Sequence, residues 1–285
     1  MNKFGGNWTE NKIEILVEYA KAYLVIMNKY ADKFRWKLMY FDGFAGSGLT
    51  IKEKGDTRKV IIGAAVRILE IEEPRPFDEY YFVEKDPEYK QSLEENTKDV
   101  FEDKKIHITE DDCNNKLIAM SNFLKSKEGE NYKILAYIDP CGMQLEWESL
   151  KVLEGLGVDI WILVPTGMGV NRLLKKDGNI SEAWTERLIR FLGMNKDEIR
   201  NYFYTETKLK TLFGEEETQI SKEEKTIEKS AELYADRLKE IFTYVSDTYS
   251  LRTSGNVTMY HFLMASNNKS AVKIANEIIR KYKFE

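Results

Sequence analysis

The chain has 285 residues, 42% apolar and 32% charged, with a net charge of -5 and a pI of about 5.5. That is the composition of an ordinary globular protein with a sizeable core, and the acidic balance argues against one that coats nucleic acid by charge alone. Two cysteines and two histidines make no disulfide framework or histidine-rich metal site, and with no signal-like core or run of about 18 apolar residues the expected location is cytoplasmic, with no membrane association.

Residues 9 to 30 predict a helix, with Thr9 as its cap and Ile13, Leu16, Val17, Ala20, Tyr23, Leu24 and Met27 at helical spacing. "WKLMYFD" (36 to 42) predicts a buried strand, followed by a helical pattern over 58 to 71. "EYYFVEKD" (79 to 86) is the next strand, with a helix after Pro87. "KIHIT" (105 to 109) follows, with a helix over 115 to 126. "YKILAYID" (132 to 139) comes next, with a helix from Trp147, and "VDIWILVP" (158 to 165) closes the series. Strands alternating with helices predict an α/β fold with a doubly wound, mostly parallel sheet.

The period breaks at about 170. From there to 250 the text is charged and helical in pattern, above all "GEEETQISKEEKTIEKSAELYADRLKE" (214 to 240). It resumes with a strand at 257 to 267 and a helix at 270 to 282. The expectation is one Rossmann-like domain, 1 to 169 plus 251 to 285, carrying a helical insertion over 170 to 250 for a substrate or partner.

The strongest local signal is "MYFDGFAGSG" (39 to 48). A strand ends at Asp42, and Gly43, Phe44, Ala45, Gly46 and Gly48 follow in a G-x-x-G-x-G loop. Glycines there let backbone approach a ligand closely, at the strand ends where open α/β sheets bind ligands. The spacing is neither the dinucleotide fingerprint nor a P-loop, which disfavours a nicotinamide-dependent oxidoreductase. Glu84 at the next strand end can accept from both ribose hydroxyls, or be a solvated turn residue. Beyond the third strand, Asp111 or Asp112 can accept from an adenine amine and Cys113 can touch the ring, although Asp112 also suits a helix cap. The loop has no basic residue, so an adenosine without pyrophosphate is expected, and S-adenosylmethionine fits.

The loop resembles motif I of class I methyltransferases, in the variant of amino-methyltransferases acting on nucleic acids. More closely, "GGNWTENK", "FDGFAGSG", "IDPCG" followed by Trp147, and "YHFLMAS" resemble the three-Cys-motif partner proteins, over about residues 5 to 282. That resemblance implies a methyltransferase-like fold, S-adenosyl-L-methionine as cofactor, and a partner protein bearing three cysteines that looks like a radical enzyme. In some adenine methyltransferases a similar N-terminal Trp…Lys stretch folds over the methyl donor, which would give that role to Trp8 and Lys12. The plain alternative is a hydrophobic staple with a solvated lysine.

"DPCG" (139 to 142) admits three readings. It resembles the Asp-Pro-Pro-Tyr motif, in which the aspartate and a backbone carbonyl hold an exocyclic amine toward the methyl group. Here Cys141 replaces the second proline and Gly142 the aromatic. A Pro-Cys at this strand end also resembles the nucleophile of cytosine C5-methyltransferases, but the neighbouring acids Asp139 and Glu146 work against a thiolate. The third reading is a plain turn lining the cofactor pocket. The clamp is preferred, with Asp139, Pro140 and Cys141 as the catalytic candidates. Asn171 and Arg172, with Lys175, Lys176, Arg187 and Arg190, form either a phosphate-contacting face for DNA or RNA or a solvated helix face. The expected function is methyl transfer to a nucleic-acid base amine, with a methyltransferase-like subunit that only binds as the alternative.

Overall fold

A computed structural model describes residues 8–54, 57–210 and 216–283. Helix α1 (Trp8–Phe34) leads into β1 (Lys37–Asp42). It starts a residue earlier than expected, so Thr9 lies inside it. The chain then differs from expectation. An antiparallel hairpin of β2 (Leu49–Lys54) and β3 (Thr57–Ile62) precedes a short α2 (Ala64–Leu69), where a helix over 58 to 71 was expected. Lys54 pairs with Thr57, and the apolar residues at the end of β3 follow a strand rather than a helical repeat. Next come β4 (Glu79–Glu84), α3 (Pro87–Thr97), β5 (Ile106–Glu110), α4 (Cys113–Leu124), β6 (Tyr132–Ile138), α5 (Trp147–Lys151) and β7 (Val158–Val164). These match the predicted βα alternation.

After β7 comes a π-helical turn (Thr166–Val170), α6 (Asn171–Leu173), α7 (Glu182–Leu192) and α8 (Lys196–Phe203). The antiparallel pair β8 (Tyr204–Lys210) and β9 (Glu216–Lys222) and then α9 (Thr226–Leu238) follow. The segment is therefore not wholly helical. The first part of the acid-rich run pairs as a strand, and only its second part is α9. The chain ends with β10 (Tyr244–Val245), β11 (Tyr249–Arg252), β12 (Thr258–Ser266) and α10 (Lys269–Lys283).

The main sheet has the order β10-β12-β7-β6-β1-β4-β5, with β11 also on β12. β12 runs antiparallel to β7, and the strands from β7 to β5 are parallel. This is a Rossmann-like doubly wound sheet. Strands buried on both faces require near-continuous apolar sequence, as in "YKILAYI" of β6. Alternation splits β1 between two cores: Leu38 and Tyr40 face α1, α2 and α10, while Met39 and Phe41 face α4, α5 and the helices after β7. The chain winds outward from β1 through β4 to β5, then crosses to β6 on the other flank. The switch point is therefore between β1 and β6, where an open sheet leaves a crevice beyond its strand ends.

Candidate functional site

Two carboxylates flank that crevice. Asp42 ends β1 and Asp139 follows β6, with Asp42 in register with Tyr137. Because side chains alternate across a strand, Tyr40 and Asp42 share the α1 face of the sheet, as do Tyr137 and Asp139. Asp42 is 1% exposed. It accepts from the Phe44 N–H at 3.1 Å, with the Tyr40 hydroxyl at 3.5 Å. Burial, with Asp139 and Glu84 nearby, pushes its carboxyl up to about 8, against the Phe44 bond and Lys12.

Asp139 is better compensated. The Tyr137 hydroxyl donates to its Oδ2 at 2.9 Å, and the Lys12 ammonium makes a short charge-assisted bond to the same oxygen. Lys12 is 7% exposed; it is a buried partner from the first turns of α1, not a solvated lysine. The backbone of Trp8 opens α1, and its side chain lies outside the described residues. Pro140 is buried and Cys141 exposed. Partial desolvation and the Asp139 carboxylate raise the Cys141 thiol, and Lys12 opposes them only in part. The buried Tyr260 of β12 places its hydroxyl 3.5 Å from the Cys141 carbonyl.

The glycine loop is tied down from three sides. The Gly43 N–H bonds to the Tyr137 carbonyl at 2.9 Å and the Ala45 N–H to Val83 at 3.0 Å. The Gly46 N–H donates to Glu84 at 2.8 Å, and the Asp86 N–H to the other Glu84 oxygen at 2.8 Å. Gly46 has φ +62°, where only glycine sits without strain. At Gly43 the reason is space: a Cβ would lie 2.5 Å from Cys113 Sγ and 2.8 Å from Ile138 Cδ1. Gly43→Ala should therefore cost about 1–3 kcal/mol of stability. Adding Cys113→Ala should recover part of that loss, because the nearer clash is removed. Denaturant midpoints of both single variants and the double variant measure this coupling; purely additive changes would contradict the packing account.

At the third strand end the helix-cap geometry expected as one reading of Asp112 is present. Asp112 caps α4, accepting from the Asn114 N–H at 2.9 Å and pairing with Lys85. Asp111 accepts from Asn115 and Lys116, which hold its carboxyl below the usual range. Cys113 is buried beneath the loop, and burial raises its thiol. Among the described residues, no hydrogen bond joins Asn171 or Arg172 to the crevice. The Asn171 side chain accepts from Lys222 at 2.7 Å, and Arg172 is exposed. The basic run is partly committed too: Lys175 lies 4.7 Å from the Trp184 ring centre and Arg190 pairs with Glu146.

Sequence reasoning missed the hydroxyls of Tyr40, Tyr137 and Tyr260. The first two were legible, two positions before each aspartate. It also missed Thr166 and His261, buried and 2.8 Å apart. Burial brings that imidazole down to about 4, so it is neutral.

No family model matches the chain, and no curated protein does. Solved structures give distant likenesses. A Legionella pneumophila protein is 15% identical, covering 93% of this chain and 98% of its own, with a TM-score of 0.44. Trm1 of Pyrococcus horikoshii, solved with S-adenosyl-L-methionine, is 14% identical over 90% of this chain and 67% of its own, TM-score 0.38. An S-adenosylmethionine-dependent methyltransferase of Clostridium acetobutylicum is 10% identical over 87% and 90%, TM-score 0.34.

Among the described residues no group of His, Cys, Asp and Glu is placed to hold a metal, and no helix is long and apolar enough to cross a membrane. What converges on the switch point is Lys12, Asp42, the glycine loop, Glu84 and Asp139.

Proposed function

We propose that the chain is an S-adenosylmethionine-dependent methyltransferase acting on an amine of a nucleic-acid base. The observation that carries this is the pair of strand-end carboxylates at the switch point, with Lys12 and the glycine loop between them. The resemblance to three-Cys-motif partner proteins agrees with it and adds a partner protein to the expectation.

The residues suit such a donor. Each Glu84 oxygen holds one backbone N–H and keeps a lone pair for a ribose hydroxyl. Asp42, buried without a full positive partner, favours a cation in the crevice. Lys12 can leave Asp139 for a donor carboxylate. When bound, the donor supplies an electrophilic methyl group. Asp139 and the Pro140 carbonyl then hold an incoming amine by its N–H bonds, directing its lone pair into the crevice. That contribution is positioning.

A catalytically silent binding subunit is the second reading. It is favoured by Gly142, which stands where an aromatic would stack on a flipped base. Two measurements separate the readings. Calorimetry should detect S-adenosylmethionine in preference to NAD, and tritium from a methyl-labelled donor should enter bulk RNA or DNA. Preference for NAD would sink both, and donor binding without transfer to any acceptor would leave the subunit. Glu84→Ala should weaken donor binding by about 1.5–3 kcal/mol; an unchanged dissociation constant would remove Glu84 from the site.

A further inference from the structure

At the pole opposite the crevice, α1 ends and β1 begins, and three aromatic rings stand together there. Phe34 and Trp36 stack with centroids 4.9 Å apart, and Tyr30 lies 6.4 Å from Phe34 and 6.5 Å from Trp36. Tyr30 and Phe34 are each 46% exposed. Burying such rings is worth far more than solvating them, so an uncovered cluster calls for an occupant.

The surrounding charge says which kind. Residues 29 to 37 carry Lys29, Lys33, Arg35 and Lys37 against the single acid Asp32, in a chain whose net charge is -5. Lys33 Nζ lies 5.3 Å from the Phe34 ring centre, and Lys133, from β6 alongside, lies 5.1 Å from that of Trp36. Among the described residues neither lysine has a carboxylate partner.

The backbone adds an independent observation. α1 closes with the Trp36 N–H on the Ala31 carbonyl at 2.8 Å and the Arg35 N–H on the Asp32 carbonyl at 3.4 Å. That is the Schellman closure, whose left-handed residue is ordinarily glycine. Here it is Arg35, at φ +54°. An arginine accepts this strain where glycine would relieve it, which fits a cation kept for binding.

We infer that this surface is a platform for single-stranded nucleic acid. Bases stack on Tyr30 and Phe34, with Trp36 packed behind them, and Lys33, Arg35 and Lys133 meet the phosphates. It goes beyond the methyl-transfer reading: β1 is six residues long, so the platform is roughly 20 Å from Asp42. It would hold the substrate strand away from the reacting base.

The test is fluorescence anisotropy of the full chain with labelled oligouridylate and oligothymidylate of about 16 nucleotides, without methyl donor. A duplex and poly-L-glutamate serve as competitors. The single strands should bind, and neither competitor should match them. Tyr30→Ala with Phe34→Ala should weaken binding about tenfold or more. Lys33→Ala with Lys133→Ala should flatten the dependence of log affinity on log salt by about 1.4. Arg35→Gly should weaken binding while the melting temperature holds or rises, which a purely structural role would not produce. Tyr89→Ala, an isolated exposed ring on α3, should change nothing. No binding by wild type, unchanged affinity in the aromatic double variant, an equal loss in Tyr89→Ala, or equal displacement by poly-L-glutamate would each overturn the platform. Calorimetry of the donor with the same variants keeps the two readings apart. Wild type that binds single strands but no donor counts against the methyltransferase and not against the platform.

Discussion

Asp139→Asn is expected to slow methyl transfer by on the order of a hundredfold or more, whereas Cys141→Ser keeps most of the activity. The amide would fill the same space and still accept from Tyr137. It would lose the charge that Lys12 faces and one of the two acceptor oxygens an amine needs. Asp139→Ala is the harsher change, because it also removes the carboxylate that Lys12 bonds at a site where Lys12 is 9% and Asp139 20% exposed by side chain. Losing a charged partner in a desolvated place lowers stability, so the asparagine variant reports the chemistry more cleanly. Cys141 is placed for a different fate. Its thiol is raised by desolvation and by Asp139, the reverse of what a nucleophilic thiolate requires. The rates of both variants, measured with the same acceptor and labelled donor, decide between them. An inactive serine variant, with a wild-type adduct trapped by a 5-fluorocytosine substrate, would move the chemistry to cytosine C5 and overturn the clamp. Full activity in both would leave residues 139 to 142 as a turn that lines the crevice.

The frame of this site is legible in the amino-acid sequence, because each strand in it is an apolar run that ends abruptly in a polar residue. Asp42, Glu84 and Asp139 end such runs, and the fold places all three around one crevice. The glycine loop is equally plain: three glycines in six residues have few structural uses besides close approach and positive φ. What could not be read were the partners supplied by distant sequence. Lys12 meets Asp139 across 127 positions. The Trp…Lys stretch singled Lys12 out, but its bond to Asp139 was not readable, since its burial depends on how α1 packs over the sheet.

The misread elements share one cause. "LTIKEKGDTRKVII" and "EETQISK" are rich in Lys and Glu, which favour helix, yet Leu49–Lys54, Thr57–Ile62 and Glu216–Lys222 are strands. Pairing with a neighbouring strand outweighs intrinsic preference, because β-propensity reflects context more than the residue itself. Gly55-Asp56 between the two halves of the first was the hairpin signal. An acid at the start of a helix caps it unless something else competes, and here the Asn114 N–H takes Asp112.

Binding of a cationic methyl donor should tighten as pH rises from 6 toward 8, approaching tenfold per unit, then level off. The ligand-free Asp42 carboxyl ionises at about 8 rather than at its ordinary 3.8, because burial opposes its charge and Asp139 and Glu84 add like charge. At pH 6 it is therefore a neutral acid. A cation in the crevice favours the carboxylate and drives off the proton, so binding competes with protonation, and one pH unit is worth 1.36 kcal/mol. Contact is not required: Asp42 is 1% exposed and acts through its field. The same shift fixes the sign for stability. Between about 4 and 8 the folded chain holds a proton that the unfolded chain has released, so ligand-free stability falls as pH rises through that window and flattens above it. Donor affinity and stability should thus move in opposite directions with pH, an arrangement that surface charges would not produce. Asp42→Asn can still accept the Phe44 N–H but cannot titrate, so it should flatten both curves and raise ligand-free stability near neutral pH. Calorimetry in two buffers of different ionisation enthalpy should show proton release on binding to wild type and none to the variant. A wild-type affinity that is flat from pH 6 to 8, with no proton released, would mean that Asp42 is already ionised in the free protein and that its burial does not tune the site.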